Sequence, residues 1–154
     1  MSNIIYIGKK IPPYKKTIEV SSDKSLSIRT ILLASQAMGI SKISNLLQSD
    51  DVLNTLKTIK KLGINYKKKR NFFEINGYGL DGFKKKNITI NAGNSGTLAR
   101  LILGLLVKNK SKIKIIGDKS LSKRDFSRVT EPLKLFGANI KTKKNSLPVE
   151  IEGS

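Results

Sequence analysis

The hydrophobic and polar positions change period several times along the chain, and each change marks an element. Thr17–Val20 and Asn87–Asn91 alternate apolar and polar residues, the two-residue period of a strand. Ser25–Met38 and Gly96–Val107 are dense in Leu, Ile and Ala and predict helices, with Gly39 and Asn109 suited to their C-terminal ends. Within them, Ile31–Leu33 and Leu101–Leu106 read as buried. Lys42–Leu46 and Lys112–Ile116 alternate again and predict strands. Asp51–Leu62 predicts a further helix, with Val52, Leu53, Leu56, Ile59 and Leu62 on one apolar face and Asp50 or Asp51 as its cap. Its counterpart is Ser127–Phe136, with Glu131-Pro132 in the first turns, where proline is tolerated if the helix begins there. Gly63 and Gly137 end these two helices. Two short strands then follow each: Ile64–Lys67 with Phe72–Ile75, and Asn139–Lys143 with Val149–Ile151.

The elements come in the same order twice. Placing Arg29 over Arg100 lays Ser25-Leu-Ser-Ile-Arg-Thr-Ile-Leu-Leu-Ala over Gly96-Thr-Leu-Ala-Arg-Leu-Ile-Leu-Gly-Leu. Downstream, Lys61-Leu-Gly-Ile falls near Leu135-Phe-Gly-Ala, and Glu74-Ile-Asn-Gly near Glu150-Ile-Glu-Gly. The offset grows from 71 to 74 to 76 residues, as a few added loop residues would produce. Three landmarks in one order make an internal repeat a better reading than chance. The unit is β-α-β-α-β-β, and two units of about 70 residues can share one core.

Composition narrows the chemistry. The chain has 154 residues, 38% of them hydrophobic, enough for one globular domain. No segment is apolar for the length of a membrane span, and the apolar run in Met1–Lys10 is too short for a signal peptide. With no cysteine and no histidine, disulfides, thiolate nucleophiles, a serine-protease triad and the commonest metal ligands are excluded. The net charge of +19 invites a nucleic-acid reading, with Lys67-Lys-Lys-Arg70 and Lys84-Lys-Lys86 as patches. Yet 25 of the 30 basic residues are lysine, and Ile and Asn are abundant too, as A/T-rich codon bias would give. Phe72 and Phe73 adjoin one tract but sit on an expected strand. Polyanion affinity is therefore expected to be non-specific.

The five arginines are more telling, because arginine in a lysine-rich chain marks places where a planar bidentate fork is useful. Asn91-Ala-Gly-Asn-Ser-Gly-Thr-Leu-Ala-Arg100 puts small residues directly before a helix. The N–H groups of Ser95, Gly96 and Thr97 then face a ligand, with Arg100 one turn on. A helix start with an arginine beside it holds an anion. Arg29 is at the equivalent place in the first unit. Arg124 lies in a polar loop, Gly117-Asp-Lys-Ser-Leu-Ser-Lys-Arg124, between a strand and a helix. Lys24 and these three arginines are candidates to converge on one multiply charged small molecule; Arg70 and Arg128 read as surface charges.

Four segments together are more specific. Asp23-Lys-Ser-Leu-Ser-Ile-Arg29, Asn45-Leu-Leu-Gln-Ser-Asp-Asp51, Asn94-Ser-Gly-Thr-Leu-Ala-Arg100 and Gly117-Asp-Lys-Ser-Leu-Ser-Lys-Arg124 resemble, in order and spacing, the amino-terminal motifs of EPSP synthase (3-phosphoshikimate 1-carboxyvinyltransferase). The resemblance runs from about Thr17 to the end of the chain. UDP-N-acetylglucosamine enolpyruvyl transferase, a sister family, fits less well, since it typically carries Lys-Asn at the first motif and usually a catalytic cysteine.

The resemblance implies an α+β fold of two β-α-β-α-β-β repeats, with helices inside and mixed sheets outside. It implies residues 17–82 as the first repeat and 83–154 as the second, with residues 1–16 contributing a strand to a second lobe. It implies transfer of the enolpyruvyl group of phosphoenolpyruvate to the 5-hydroxyl of shikimate 3-phosphate, releasing phosphate, in the cytoplasm and with no metal or organic cofactor. Lys24 would act at the reacting group, touching both substrates. Ser25 and Arg29 would hold shikimate 3-phosphate. Gly96 would line the phosphoenolpyruvate pocket, Asn94 and Thr97 would shape it, and Arg124 would bind phosphoenolpyruvate. Arg100 matches a motif position and is a possible further contact.

The chain departs from the pattern in three ways. Ile28 stands where histidine or asparagine is common. Asp125 follows Arg124 where proline is usual, and is expected to change the loop that presents Arg124. The family is also about three times longer. The expectation is therefore a fragment, a truncated product or one part of a split enzyme, inactive alone and needing the missing carboxy-terminal portion as its partner. Another enolpyruvyl transferase, or a basic RNA-binding protein without catalysis, are the alternatives.

Overall fold

The computed structural model describes residues 20–154 and Gly8. The expected strand in Met1–Lys10 and most of that at Thr17–Val20 lie outside the described residues. Twelve elements follow: α1 (Lys24–Gln36), β1 (Met38–Ser44), α2 (Asp50–Lys61), β2 (Asn65–Lys68), β3 (Phe72–Tyr78), β4 (Thr89–Asn91), α3 (Gly96–Leu105), β5 (Ile113–Ile116), a short 3-10 turn (Leu121–Lys123), α4 (Ser127–Leu135), β6 (Asn139–Lys143) and β7 (Ser146–Glu152).

The repeat is visible in the topology. One sheet runs β1-β3-β2 and the other β4-β5-β7-β6. In each, the long last strand of its unit sits between two antiparallel partners, and β4 adds to the second sheet by a parallel pairing with β5. The burial phase of the helices agrees with the 71-residue offset. Ser27, Ile28, Ile31, Leu32 and Ser35 are buried in α1, and at the matching places Leu98, Ala99, Ile102 and Leu103 are buried in α3 and Leu106 just after it. The architecture is thus α+β, with α1 packed between α2, α3 and β3, and apolar faces of both sheets turned to the same core.

Two local devices recur at equivalent places. Gly63 and Gly137 both adopt left-handed backbone, at φ +99° and +90°. After each, the helix closes by the same pair of bonds: Gly63 N–H to the Lys60 carbonyl and Ile64 N–H to that of Ile59, then Gly137 N–H to Lys134 and Ala138 N–H to Leu133. This 6→1 and 5→2 pattern satisfies the last helix carbonyls and turns the chain into a strand. Gly77 and Gly153 share a different duty. A Cβ at Gly77 would collide with the carbonyls of Ala34 and Ala37, and one at Gly153 with that of Val107. Each glycine lets the long strand of its unit cross the end of the buried helix.

Several boundaries differ from the sequence reading. The first helix stops at Gln36 rather than Met38, and Gly39, at φ +89°, belongs to β1. The cause is the crossing just described: β3 pairs Tyr78 with Met38 and Gly77 with Gly39, and so claims that backbone for the sheet. Likewise α3 ends at Leu105, short of Val107 and Asn109. The runs Ile31–Leu33 and Leu101–Leu106 are not wholly buried, since Leu33 is 68% and Leu101 37% exposed. At 100° per residue a helix cannot turn a continuous apolar run to one core. Leu53 is exposed for the same reason, whereas Val52, Leu56, Ile59 and Leu62 are buried. The N-cap position of α2 is Ser49, which makes no side-chain cap bond, and Asp50 and Asp51 lie in the first turn, where the helix dipole favours carboxylates. Finally, α4 begins at Ser127, so Pro132 is its sixth residue and not near its start. It has no N–H to return to Arg128, whose position is exposed to water.

Candidate functional site

The loop before α3 is built by short-range bonds. Asn91 Oδ1 accepts from the Gly93 N–H at 2.9 Å, and Gly93 takes φ +57°. The Ser95 N–H donates to the Ala92 carbonyl at 3.0 Å, and Ser95 Oγ accepts from the Leu98 N–H at 3.2 Å, capping the helix. Of the three N–H groups expected to face a ligand, that of Ser95 is therefore engaged, and those of Gly96 and Thr97 remain the open donors of the helix start.

Two guanidinium groups meet over this helix start. A Cβ placed on Gly96 would lie 2.8 Å from Arg100 Nη1 and 3.0 Å from Arg124 Nη1. The missing side chain leaves room for both guanidinium groups to rest here; a Cβ would push their flexible ends aside. Arg100 comes from α3 itself. Its Cζ lies 5.0 Å from the Phe126 ring centre, and its Nη2 donates to the Asp125 carbonyl oxygen at 3.1 Å. It thus fastens the loop that carries Arg124, a cation resting on the face of a buried ring. Arg124 Nη2 donates to Asn94 Oδ1 at 3.3 Å, and Asn94 Nδ2 donates to Asp118 Oδ2 at 2.7 Å. Thr97 is half-buried on the next helical position.

Asp125, where proline was expected, keeps this loop ordered in another way. Its carboxylate accepts from the Ser127 N–H at 2.7 Å and from the Ser127 hydroxyl, which opens α4. The Ser127 hydroxyl and N–H hold the Asp125 carboxyl below the usual aspartate range. Asp118 is shifted the same way, first by the Leu121 N–H and then by the Asn94 amide. Sequence reasoning passed over Phe126 and the bonds made by Asp118 and Asp125. The one available signal was Asp118 three residues before Leu121, the spacing of a side-chain cap.

The residues of the first unit are arranged differently. Lys24, at the first position of α1, pairs with Asp51 in the first turn of α2, Nζ to Oδ2 2.9 Å. With Lys24 half in solvent, such a pair contributes at most about 1 kcal/mol, so its use is to aim the ammonium. Ser25 is half-buried and Arg29 exposed on α1. The structure therefore brings Arg100 and Arg124 together at Gly96, with Asn94 bonded to Arg124, while Lys24, Ser25 and Arg29 form a separate group on α1. The two groups share one scaffold, because α1 packs against α3 and Asn54 of α2 abuts Gly93.

A cavity of about 360 Å³ lies elsewhere, lined by Phe83, Lys84, Lys86, Leu105 and Lys108. It adjoins the C-terminal end of α3, where the carbonyl end of the dipole disfavours an anion and itself accounts for nearby lysines. Among the described residues no three His, Cys, Asp or Glu side chains are grouped to hold a metal ion, and no helix is long and apolar enough to cross a membrane.

Comparison with known proteins gives a consistent family. The family model described as EPSP synthase (3-phosphoshikimate 1-carboxyvinyltransferase) matches residues 9–154. The 3-phosphoshikimate 1-carboxyvinyltransferase of Streptococcus mutans is 41% identical over 140 residues, which cover 90% of this chain and 33% of that protein. That of Vesicomyosocius okutanii is 41% identical over 152 residues, 99% of this chain and 33% of its own length. The solved EPSP synthase of Acinetobacter baumannii superposes with a TM-score of 0.82 at 36% identity, over 89% of this chain and 32% of that one. The chain spans about a third of the length of the curated relatives it matches. With ordered motifs, repeated topology and match over nearly its whole length in agreement, the chain belongs to the EPSP synthase family.

Proposed function

We propose that this chain supplies one face of the active site for transfer of the enolpyruvyl group of phosphoenolpyruvate to the 5-hydroxyl of shikimate 3-phosphate, with release of phosphate. The observation that carries the reading is the meeting of two guanidinium groups over a side-chain-free helix start at Gly96. Both substrates are anions, and fixed donors at such a place stabilise negative charge without reorganising. In this reading Arg124 holds phosphoenolpyruvate, Gly96 lines its pocket, and Asn94 and Thr97 shape that pocket. Arg100 acts by securing the loop. Lys24 lies beside the reacting carbon, aimed by Asp51, and Ser25 and Arg29 hold shikimate 3-phosphate, Arg29 through the carboxylate.

The same reading assigns residues 17–82 and 83–154 to successive repeats and residues 1–16 to a second lobe, which a carboxy-terminal portion of the relatives would complete. It places the protein in the cytoplasm, with only non-specific affinity for nucleic acid. The test is phosphate release from phosphoenolpyruvate that depends on shikimate 3-phosphate. The chain alone is expected to give none, because acid/base groups must surround the reacting atoms. Supplying the complementary carboxy-terminal portion of a relative should restore turnover, and Lys24→Ala should abolish it. Robust release by the 154-residue chain alone would refute this half-site reading.

A further inference from the structure

The contacts around Arg124 assign a role to Asp118, a residue that touches neither guanidinium group. We propose that Asp118 is a positioning residue: it orients the Asn94 amide so that Asn94 holds Arg124 over Gly96. The inference rests on the reading above that Arg124 meets an anion at that place.

The chemistry of the three groups leaves one arrangement. A guanidinium has donors only, so its neighbour must present an acceptor. A carboxamide offers one acceptor oxygen and one donor NH₂, and nothing in the amide itself decides which faces the arginine. A carboxylate has acceptors only. With Asp118 Oδ2 2.7 Å from Asn94 Nδ2, the NH₂ is engaged, and Oδ1 is turned to Arg124 Nη2 at 3.3 Å. Asp118 is in turn held at both ends. Its Oδ1 accepts from the Leu121 N–H at 2.7 Å, and its own N–H donates to the Gly93 carbonyl at 2.9 Å. Both carboxylate oxygens are thereby occupied. The bonds tie the loop before α3 to the loop after β5, the two segments whose arginines meet at Gly96. Asn94 also separates the Asp118 charge from the place where an anion would sit.

The experiment compares the wild-type chain with Asp118→Asn, Asn94→Ala and the double variant. An asparagine at 118 keeps the shape but has one acceptor oxygen, so it can serve Leu121 or Asn94 and not both. Side-chain NMR of the guanidinium groups reads the order of Arg124 directly, with exposed Arg70 and Arg128 as references. Inorganic phosphate, titrated against the Gly96 amide, reads the anion site. In the wild type Arg124 should rotate slowly, and in Asp118→Asn it should average like Arg70. Phosphate affinity should fall about tenfold, the loss expected of one charge-assisted hydrogen bond. Asn94→Ala should do the same, and the double variant should lose no more than either single one, since the two act in series. The thermal midpoint should move little, because the cap at Asp118 serves only a three-residue turn. Equal order of Arg124 in wild type and Asp118→Asn, or losses that add, would overturn the assignment. A wild-type Gly96 amide indifferent to phosphate would count against the anion site itself, and the rotation of Arg124 would still decide the role of Asp118.

Discussion

The same heptapeptide occurs twice in this chain with one difference, Asp23-Lys-Ser-Leu-Ser-Ile-Arg29 and Asp118-Lys-Ser-Leu-Ser-Lys-Arg124, and the two copies end up as different structures. Their beginnings are alike. Asp23 Oδ1 accepts from the Leu26 N–H and Asp118 Oδ1 from the Leu121 N–H, each at 2.7 Å. The Ser27 N–H returns to the Asp23 carbonyl and the Ser122 N–H to that of Asp118. After that they part. The first copy opens the 13-residue α1, and the second stops as a three-residue turn. Ile28 is fully buried where its counterpart Lys123 is exposed, and Leu26 is 64% exposed where Leu121 is fully buried. A cap nucleates a turn, but a helix goes on only if an apolar face finds a core. Ile28, Ile31 and Leu32 supply that face; the equivalent places hold Lys123, Phe126 and Ser127, of which Phe126 alone is buried. The second copy instead plugs Leu121 into the core, and this holds Arg124 out over Gly96.

The sharpest way to break the comparison is to exchange its one difference. Ile28→Lys buries an ammonium group with no partner and should cost about 4 kcal/mol in chemical denaturation. The reverse change, Lys123→Ile, should stay within about 0.5 kcal/mol and leave helical content by circular dichroism unchanged. Equal effects would show that the heptapeptide, not its surroundings, decides. Next come the leucines. Leu121→Ala should cost about 3 kcal/mol as a core truncation, whereas Leu26→Ala should be nearly neutral by the same denaturation curves. A smaller difference is expected at the caps. Asp23→Ala should lose about 1 kcal/mol because a whole helix depends on it, and Asp118→Ala should lose less. The smallest effect is in acid. The folded state holds Asp118 below the ordinary aspartate value of 3.8, chiefly through the Leu121 N–H. Its contribution is therefore complete above that value and lost as pH falls through the lower folded one. A carboxyl-carbon NMR titration reads this directly, and a midpoint for Asp118 above 3.8 would contradict the bonds drawn to it.

Much of the fold was legible because its signals are local. The Gly63 and Gly137 stops and the alternation in β3 and β7 follow from neighbouring residues, and the repeat offset from laying such local patterns over one another. Helix ends were misread where a distant strand intervened: nothing near Met38 announces that Tyr78 and Gly77 will pair there. The candidate site was legible as a set of residues. Lys24, Asn94, Gly96, Arg100 and Arg124 stand out by type and spacing, but their grouping does not, and neither does the part played by Asp118, Asp125 and Phe126.

By itself, then, the amino-acid order determined where turns nucleate, which strands alternate, that one unit is used twice, and to which family the motifs belong. The turns and strands depend on residues a few positions apart, where backbone geometry leaves little choice; the repeat and the family show in the order of such local motifs along the chain. Tertiary structure alone decided which leucine of a repeated motif is buried and which arginines meet. Asn94 binds Asp118 across 24 residues and Arg124 across 30, and such pairs are set by the packing of whole elements rather than by any local preference.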